Sequence, residues 1–288
     1  MNFKTLSSHK NQDPESSFLY IVGTPIGNLN DLSFRAVNIL KNVSLIACED
    51  TRQTKKILHK FDFNNKLISF NKHNSIKKVP QIINYLKNGK SIALVSDAGM
   101  PSICDPGEDL VKDAKLNGID VICIPGPCAA LTALVTSGLP SSKFTFEGFL
   151  PKKKSERNKL LLKIVKSDKT TILFESPHRL KKLLDELKEY CGGEREIQVS
   201  RELTKKYEEH IGNNINEVIN HFQNKEVLGE FTIVIKGKNI LNKDSVIDNN
   251  ELRKELNELI EAGLSLSSAS RYLAKKKNVS KNYIYSLY

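Results

Sequence analysis

Short apolar runs alternate with amphipathic stretches through the first half of the chain. The amphipathic stretches carry apolar residues at helical spacing, which predicts helices over 31–42, 51–60 and 79–89 and near 107–117. The apolar runs have the length and composition of buried strands: FLYIV (18–22), SLIAC (44–48), KLISF (66–70), SIALVS (91–96) and DVICIPG (120–126). This alternation of strand and helix predicts a parallel sheet with helices on both faces.

After about residue 141 the pattern changes, although strands and helices still alternate. Helices are predicted over 155–166, 177–190 and 214–224, between strands at 144–150, 170–176, 196–202 and 229–237. The last run, GEFTIVIKG, alternates like a half-buried antiparallel strand. We therefore predict an α/β fold with two α/β domains, an N-terminal one over 18–140 and a second over 141–238.

Both ends of the chain differ from this α/β pattern. Residues 1–17 are polar and are predicted to be a disordered leader, and 239–249 read as a linker. Residues 250–288 are predicted to form a small helical C-terminal domain. Its Ala274, Asn278, Val279 and Ile284 have the spacing of a helix-turn-helix, and the alternative is a plain helical bundle.

Composition narrows the class of protein further. The formal net charge of +11 favours a polyanionic partner such as nucleic acid or an anionic surface. No run approaches the roughly 18 apolar residues of a membrane helix, and the N-terminus lacks the apolar centre of a secretory signal. The five cysteines have no CxxC spacing, which predicts no metal site and favours reduced thiols in the cytoplasm.

Three loops combine glycine and proline directly after predicted strands: GTPIGNL (23–29), SDAGMPSICDPG (96–107) and PGPCAAL (125–131). Ligands of open α/β sheets lie beyond the carboxyl ends of the strands, where these loops belong. None of the loops has the GxGxxG or Walker spacing, so a dinucleotide or a nucleoside triphosphate is not favoured. The loops predict a different small-ligand site, unless they only turn corners.

The three loops, together with CEDTR (48–52), GFLPKKKSER (148–157) and FESPHRL (174–180), resemble the tetrapyrrole methylase family, the class III S-adenosylmethionine-dependent methyltransferases. The resemblance covers residues 18 to 288. Within the family, the motifs are most similar to those of the branch that acts on ribosomal RNA. Small departures occur at Gly23, Met100, Cys104 and Cys128, where many relatives have proline, threonine and serine.

The resemblance implies that S-adenosylmethionine binds in the cleft between the two domains. Asp97, Ala98 and Gly99 would line its methionine or ribose end, and Ile103 would pack against it. Backbone on the adenosine side would come from Pro125, Gly126, Pro127, Cys128 and Ala129. The remaining implied contacts are Pro25, Ser96, Glu175 and Leu203.

The resemblance also implies the reaction and the partners. The implied reaction is methylation of the ribose 2′-hydroxyl of a cytidine in the decoding region of 16S rRNA. The implied substrate is that rRNA within the 30S subunit, and the implied enzyme is a homodimer. Two alternatives remain at this point. One is a small-molecule tetrapyrrole methylase, whose substrates are also polyanionic, and the other is a non-catalytic RNA-binding protein.

Four side chains are candidates for the base that accepts the hydroxyl proton. Glu49 and Asp50 follow a predicted strand, and Glu175 and His178 lie in the FESPHRL motif. In the alternative interpretation Asp50 caps a helix, Arg52 pairs with Glu49, and His178 only packs. The sequence does not choose among the four.

Basic residues in three regions are candidates for RNA contact, since phosphate binding is largely electrostatic. Arg179 and Arg52 lie beside the candidate bases, and the run LPKKKSERNK (150–159) is predicted to form a flexible lip over the cleft. The alternative is that these side chains are merely solvated. The remaining candidates are Lys152, Lys153, Lys154, Arg157, Arg271, Lys275, Lys276 and Lys277.

Overall fold

The computed structural model describes residues 13–238, 249–277 and 281–288. Met1–Gly237 form one compact unit and Lys238–Tyr288 form a second. The first unit contains two five-stranded sheets and the second is helical over its described residues. The predicted fold class is confirmed, and the division of the first unit near residue 141, which falls between its two sheets, stays a prediction.

The first sheet is wholly parallel and has the strand order β3-β2-β4-β1-β5. Its buried strands place alternate side chains on opposite faces, so each face needs a helical cover. Its strands are β1 (Leu19–Val22), β2 (Leu45–Cys48), β3 (Leu67–Ser69), β4 (Ile92–Val95) and β5 (Val121–Ile124).

Helices cover both faces of this sheet, as predicted. One face packs against α1 and α2 through Tyr20, Ile46 and Ala93, and the other packs against α3 and α4 through Leu19, Leu45 and Ile92. These helices and the one that follows β5 are α1 (Phe34–Asn42), α2 (Thr51–Lys60), α3 (Ser75–Lys87), α4 (Glu108–Leu116) and α5 (Ala129–Thr136).

The second sheet is mixed and has the order β6-β7-β10-β8-β9. Strands β6 and β7 are parallel, and the other pairs are antiparallel. Its elements are β6 (Phe144–Phe149), α6 (Lys154–Lys166), β7 (Thr170–Glu175), α7 (Pro177–Cys191), β8 (Glu196–Arg201), β9 (Glu209–Asn214), α8 (Ile215–Phe222) and β10 (Phe231–Ile235).

Two expectations about these elements were wrong in detail, and one strand was missed. Strand β10 is antiparallel but buried along its whole length, because α5 covers Val234 on one face while α7 and α8 cover Ile233 on the other. Helix α3 begins at Ser75 rather than 79, and Pro80 lies inside it. Strand β9 was not predicted, because EHIGNN is too polar to show the apolar alternation of a strand.

The second unit contains three helices in its described residues, α9 (Asn249–Glu261), α10 (Leu266–Lys277) and α11 (Lys281–Tyr285). Leu256, Leu273 and Ile284 are fully buried in its core, and Ala274 is buried beside them. Most of the predicted leader (residues 1–12), most of the linker (239–248), and Asn278 and Val279 of the predicted helix-turn-helix lie outside the described residues.

Candidate active site

The three glycine- and proline-containing loops meet at the carboxyl edge of the first sheet. The Thr24 amide donates to the Gly99 carbonyl at 2.9 Å, and the Gly99 amide donates to the Thr24 carbonyl at 3.0 Å, which joins the first loop to the second. A Cβ atom on Gly126 would lie 2.7 Å from the Gly23 Cα atom, so the first and third loops touch backbone to backbone. The predicted convergence of the loops is therefore present in the structure.

These loops form one wall of a cavity of about 500 Å³, and the opposite wall comes from the second sheet. The cavity lies between the two sheets, where the resemblance implies the cofactor. Seven of the residues predicted to bind the cofactor line it: Ala98, Gly99, Ile103, Cys128, Ala129, Glu175 and Leu203.

The other predicted cofactor residues lie in or beside the same loops but not in the cavity wall. Ser96 is buried, and its hydroxyl donates to the Ala98 carbonyl at 3.3 Å. Asp97 accepts a hydrogen bond from the Asp50 amide at 2.9 Å, so it connects the β2 and β4 loops. Pro25, Pro125, Gly126 and Pro127 belong to the first and third loops.

Several cavity residues were not predicted. Ile26, Met100, Cys104 and Asp105 come from the same loops, and Lys72 follows β3. The second sheet adds an aromatic pair, Phe149 and Phe174, whose ring centroids lie 5.6 Å apart, at the ends of β6 and β7. The other unpredicted residues are Ser176, Pro177, Gly229, Glu230, Phe231 and Thr232.

Asp50 is held in an ion pair at the start of α2. Its carboxylate caps the helix by accepting from the Arg52 amide at 2.8 Å, and it also accepts from Arg52 Nη2 at 2.6 Å. These hydrogen bonds lower the pKa of Asp50 to about 2. The alternative interpretation paired Arg52 with Glu49, but in the structure Arg52 pairs with Asp50. Its other part, that Asp50 caps the helix, agrees with the structure.

Glu49 lies in a different environment from its neighbour. Burial raises the pKa of its carboxyl group, the carboxylates of Asp105 and Asp97 raise it further, and Lys72 opposes them. Burial also raises the pKa of Asp105, which lines the cavity. Among the four predicted candidates, Glu49 is therefore a half-buried carboxyl group with a raised affinity for a proton.

Glu175 and His178 lie on either side of the start of α7. The Glu175 side chain has no exposed surface, and it pairs with Arg157 and Arg179. His178 is exposed in the first turn of the helix, which does not fit the packing role given as its alternative. Glu175 contributes to the cavity wall, whereas His178 is not part of it.

The basic run separates into exposed and buried members. Lys152, Lys153 and Lys154 are exposed just before or at the start of α6, which suits contact with RNA phosphates. Arg157 was predicted to bind RNA, but its side chain is only 5% exposed and its guanidinium is paired with Glu175 and Glu186. The helical period turns Arg157 inward, so its position in this structure does not suit contact with an RNA phosphate.

The second unit presents some of its cations and pairs others. Arg271 and Lys275 are exposed on α10. Lys276 Nζ lies 2.9 Å from a carboxylate oxygen of Glu255, and Lys277 Nζ lies 2.5 Å from the other oxygen. All four side chains are still within the predicted nucleic-acid surface, but two of them also stabilise the bundle.

Neither a metal site nor a membrane-spanning helix is found among residues 13–238, 249–277 and 281–288. No group of three or more histidine, cysteine, aspartate or glutamate side chains there is arranged to hold a metal ion. None of the described helices combines the length and apolarity needed to cross a membrane.

Comparison with known proteins gives one family and a set of relatives. The family described as Tetrapyrrole (Corrin/Porphyrin) Methylases matches residues 18–219. The Bacillus subtilis (strain 168) protein named Ribosomal RNA small subunit methyltransferase I is 43% identical over 285 residues, which is 96% of each chain. The Thermotoga maritima protein of that name is 47% identical over 220 residues, 76% of this chain and 98% of its own.

Solved structures resemble the chain in fold. The cobalt precorrin-4 methyltransferase CbiF superposes with a TM-score of 0.58 at 16% identity, over 76% of this chain and 95% of that one. A uroporphyrin-III C-methyltransferase from Thermus thermophilus, complexed with S-adenosylhomocysteine, gives a TM-score of 0.53 at 15% identity, over 75% and 96%. At these identities the likeness shows only that the α/β folds are similar.

Proposed function

Because the chain belongs to the tetrapyrrole methylase family of S-adenosylmethionine-dependent methyltransferases, we propose that it methylates the RNA of the small ribosomal subunit. The observation that carries the proposal is a loop-walled cavity in a chain that aligns along nearly its full length with proteins named for that activity. The exposed lysines beside the cavity suit a phosphate-rich substrate.

The cavity fits the cofactor in size and in chemistry. A volume of about 500 Å³ is within the range for ligands of this size. Ile26, Ile103 and Leu203 supply apolar surface suited to an adenine. The first turn of α5 begins at the cavity, and its amides lack helical acceptors and so suit a carboxylate.

The cofactor, when bound, supplies an activated methyl group with a good leaving group. The chain has to do three things: hold the loops rigid, exclude water and accept a proton. The Thr24–Gly99 bridge and the Gly23–Gly126 contact keep the cavity wall in place before any ligand arrives. The apolar wall excludes water from the reacting atoms.

The substrate hydroxyl must lose its proton as the new bond forms. We assign the acceptance of this proton to the Glu49 carboxylate, which directly follows β2 in a loop that the Asp50–Asp97 hydrogen bond joins to the β4 loop. Burial and neighbouring carboxylates also raise its pKa. Asp105 raises the pKa of Glu49 and lines the cavity, so it is a group to which the proton can pass. Asp50, with a pKa of about 2, is the weaker base.

The finer parts of the proposal follow from the resemblance. The methylated atom is the 2′-oxygen of a cytidine in the decoding region of 16S rRNA, the substrate is the 30S subunit, and the enzyme is a homodimer in the cytoplasm. Positive charge on two separate parts of the chain agrees with a large RNA target better than with a small tetrapyrrole.

The test is a map of ribose methylation in small-subunit rRNA from a strain that lacks this chain. A 2′-O-methyl group protects the adjacent phosphodiester from alkali, so one decoding-region cytidine should become alkali-sensitive in that strain. Protection should return when the chain is re-expressed. If every protected ribose persists in the deletion strain, the 2′-O assignment fails, and methylation of a base or of a small molecule takes its place.

A further inference from the structure

A buried network of charged side chains lies behind the cavity wall formed by the second sheet. Glu175 ends β7, contributes to the cavity wall and has a side chain with no exposed surface. The Arg157 side chain from α6 is 5% exposed, and that of Glu186 from α7 is 18% exposed. Charged groups are seldom buried this deeply unless they are paired.

The contacts in the network are directed at Glu175 from two sides. Arg157 Nη1 lies 3.4 Å from Glu175 Oε2, and Arg179 Nε lies 3.2 Å from Oε1. The amide of Ser176 also donates to Oε1, at 2.9 Å. Both oxygens of the carboxylate are thereby held, so its orientation behind the cavity wall is fixed.

Arg157 is itself fixed from its other side. Its Nε donates to Glu186 Oε2 at 2.8 Å, and Nη2 lies 2.8 Å from the same oxygen as an ion pair without hydrogen-bond geometry. The guanidinium therefore lies between two carboxylates and cannot reach an RNA phosphate without breaking both pairs. Of its two partners, Glu175 belongs to the cavity wall.

The same network anchors the basic segment. Arg179 Nη2 donates to the Leu150 carbonyl at 2.6 Å, directly before residues 151–153, and Arg157 holds the first turn of α6 directly after them. The segment with the exposed lysines is thus fastened at both ends to a carboxylate of the cavity wall. This arrangement differs from the flexible lip expected from composition.

We propose that Arg157 is a positioning residue that holds Glu175, and with it the cavity wall at the end of β7, in place and is not an RNA ligand. The proposal rests on the proposed function, because it takes the cavity to be the cofactor site. A buried pair of this kind adds little net stability compared with an apolar replacement, but removing one partner leaves an uncompensated charge. Loss of Arg157 should therefore disturb Glu175 and the cavity wall first.

The experiment is calorimetric titration of S-adenosylhomocysteine into the full chain and three variants. Arg157→Met removes the charge, and Arg157→Lys keeps the charge but loses the planar fork that contacts two carboxylates. Lys163→Met is the matched control, because Lys163 lies on the same helix and pairs with Glu147 at 3.1 Å but is 70% exposed. Each titration is run well below that variant's melting temperature.

We expect the dissociation constant to rise about 10-fold or more in Arg157→Met and by a smaller factor in Arg157→Lys. Lys163→Met should stay within about twofold of the unaltered chain, since exposed pairs contribute little. If Arg157→Met does not fold, Arg157→Lys decides, and it must still bind more weakly. Binding by either folded Arg157 variant equal to that of the unaltered chain overturns the proposal.

A second measurement separates positioning from phosphate contact. The slope of log affinity against log salt is measured with small ribosomal subunits from the deletion strain. Loss of a phosphate ligand would make that slope shallower by about 1, whereas a positioning residue leaves it unchanged. If the unaltered chain binds no S-adenosylhomocysteine, the proposed function has failed, which is a different result from equal binding by the variants.

Discussion

At the scale of single residues, Glu49 and Asp50 show how neighbours in sequence acquire different chemistry. Asp50 accepts hydrogen bonds from Arg52, so its charged form is favoured and its pKa falls to about 2. Glu49 is half-buried among other carboxylates, so its charged form is disfavoured and its pKa rises. The sequence presents two adjacent acids, and only their surroundings decide which is the better proton acceptor.

Replacing Glu49 with glutamine should reduce kcat by about 10²–10⁴-fold, because the amide cannot accept the proton. The base acts only when deprotonated, so activity of the unaltered chain should fall as the pH drops through the raised pKa. That acidic limb should lie above 4.5, the ordinary value for glutamate. Rates measured between pH 5 and pH 9 check both statements.

Asp50→Asn is the control for this prediction. Asparagine caps helices about as well as aspartate, so α2 should persist and the loss of activity should be much smaller. Full activity of Glu49→Gln beside an inactive Asp50→Asn would reverse the two assignments.

At the scale of structural elements, the loops after β1, β4 and β5 act as one unit. They contain glycine where backbones touch, main-chain hydrogen bonds join the first loop to the second, and Gly23 touches Gly126 of the third. A Cβ atom on Gly126 would meet the Cα, carbonyl carbon and carbonyl oxygen of Gly23 at 2.7, 2.8 and 2.8 Å. Backbone atoms cannot yield as a flexible side chain can.

Gly126→Ala should therefore separate the first and third loops and weaken binding of S-adenosylhomocysteine by about 10-fold or more. Gly118→Ala serves as the control, because Gly118 has open space around it and a φ of +69°, so alanine adds backbone strain without a clash. Calorimetry and thermal melting of both variants separate the two effects. Equal cofactor affinity in Gly126→Ala and the unaltered chain would contradict this account of the loops.

The elements show which parts of the fold the sequence could predict. The parallel sheet was predictable, because short apolar runs between glycine, proline and amphipathic stretches have few other solutions. Strand β9 was not, because an edge strand such as EHIGNN is stabilised by pairing with β8 and carries few apolar residues. Strand β10 looked half-buried, because its alternation does not reveal that α5 covers the second face.

The candidate site also has a part that the sequence could predict and a part that it could not. Its first wall was predictable from glycine and proline, residues whose backbone requirements are visible in the sequence. Its second wall was not, because Phe149 and Phe174 are apolar strand residues that resemble any core residue. The inward position of Arg157 depends on the packing of α6 against β7 and α7, which a run of basic letters cannot show.

At the scale of the whole molecule, the basic residues behind the net charge of +11 do not all face solvent. Some cations are buried in ion pairs and face almost no solvent, such as Arg157 with Glu175. Others are exposed, including Arg271 and Lys275 in the second unit. Only the exposed group can release counterions from RNA, so the total charge overstates the binding surface.

Replacing Arg271 and Lys275 together with alanine should make the salt dependence of binding to small ribosomal subunits shallower, by about 0.7–0.9 for each RNA phosphate that is no longer neutralised. The control is Lys87→Ala with Lys90→Ala, which removes the same charge from exposed positions at the end of α3. Filter binding across a range of salt concentrations measures both slopes. If both pairs change the slope equally, the second unit contributes only general charge.

The central claim is that three converging loops and the second sheet enclose the cofactor. A crystal structure of the chain grown with S-adenosylhomocysteine tests it most directly. We predict the ligand inside the cavity, in contact with Gly99 and Ala129 on one wall and with Leu203 on the other. A ligand bound at any other place, or a cavity left empty at saturating ligand, would contradict the account.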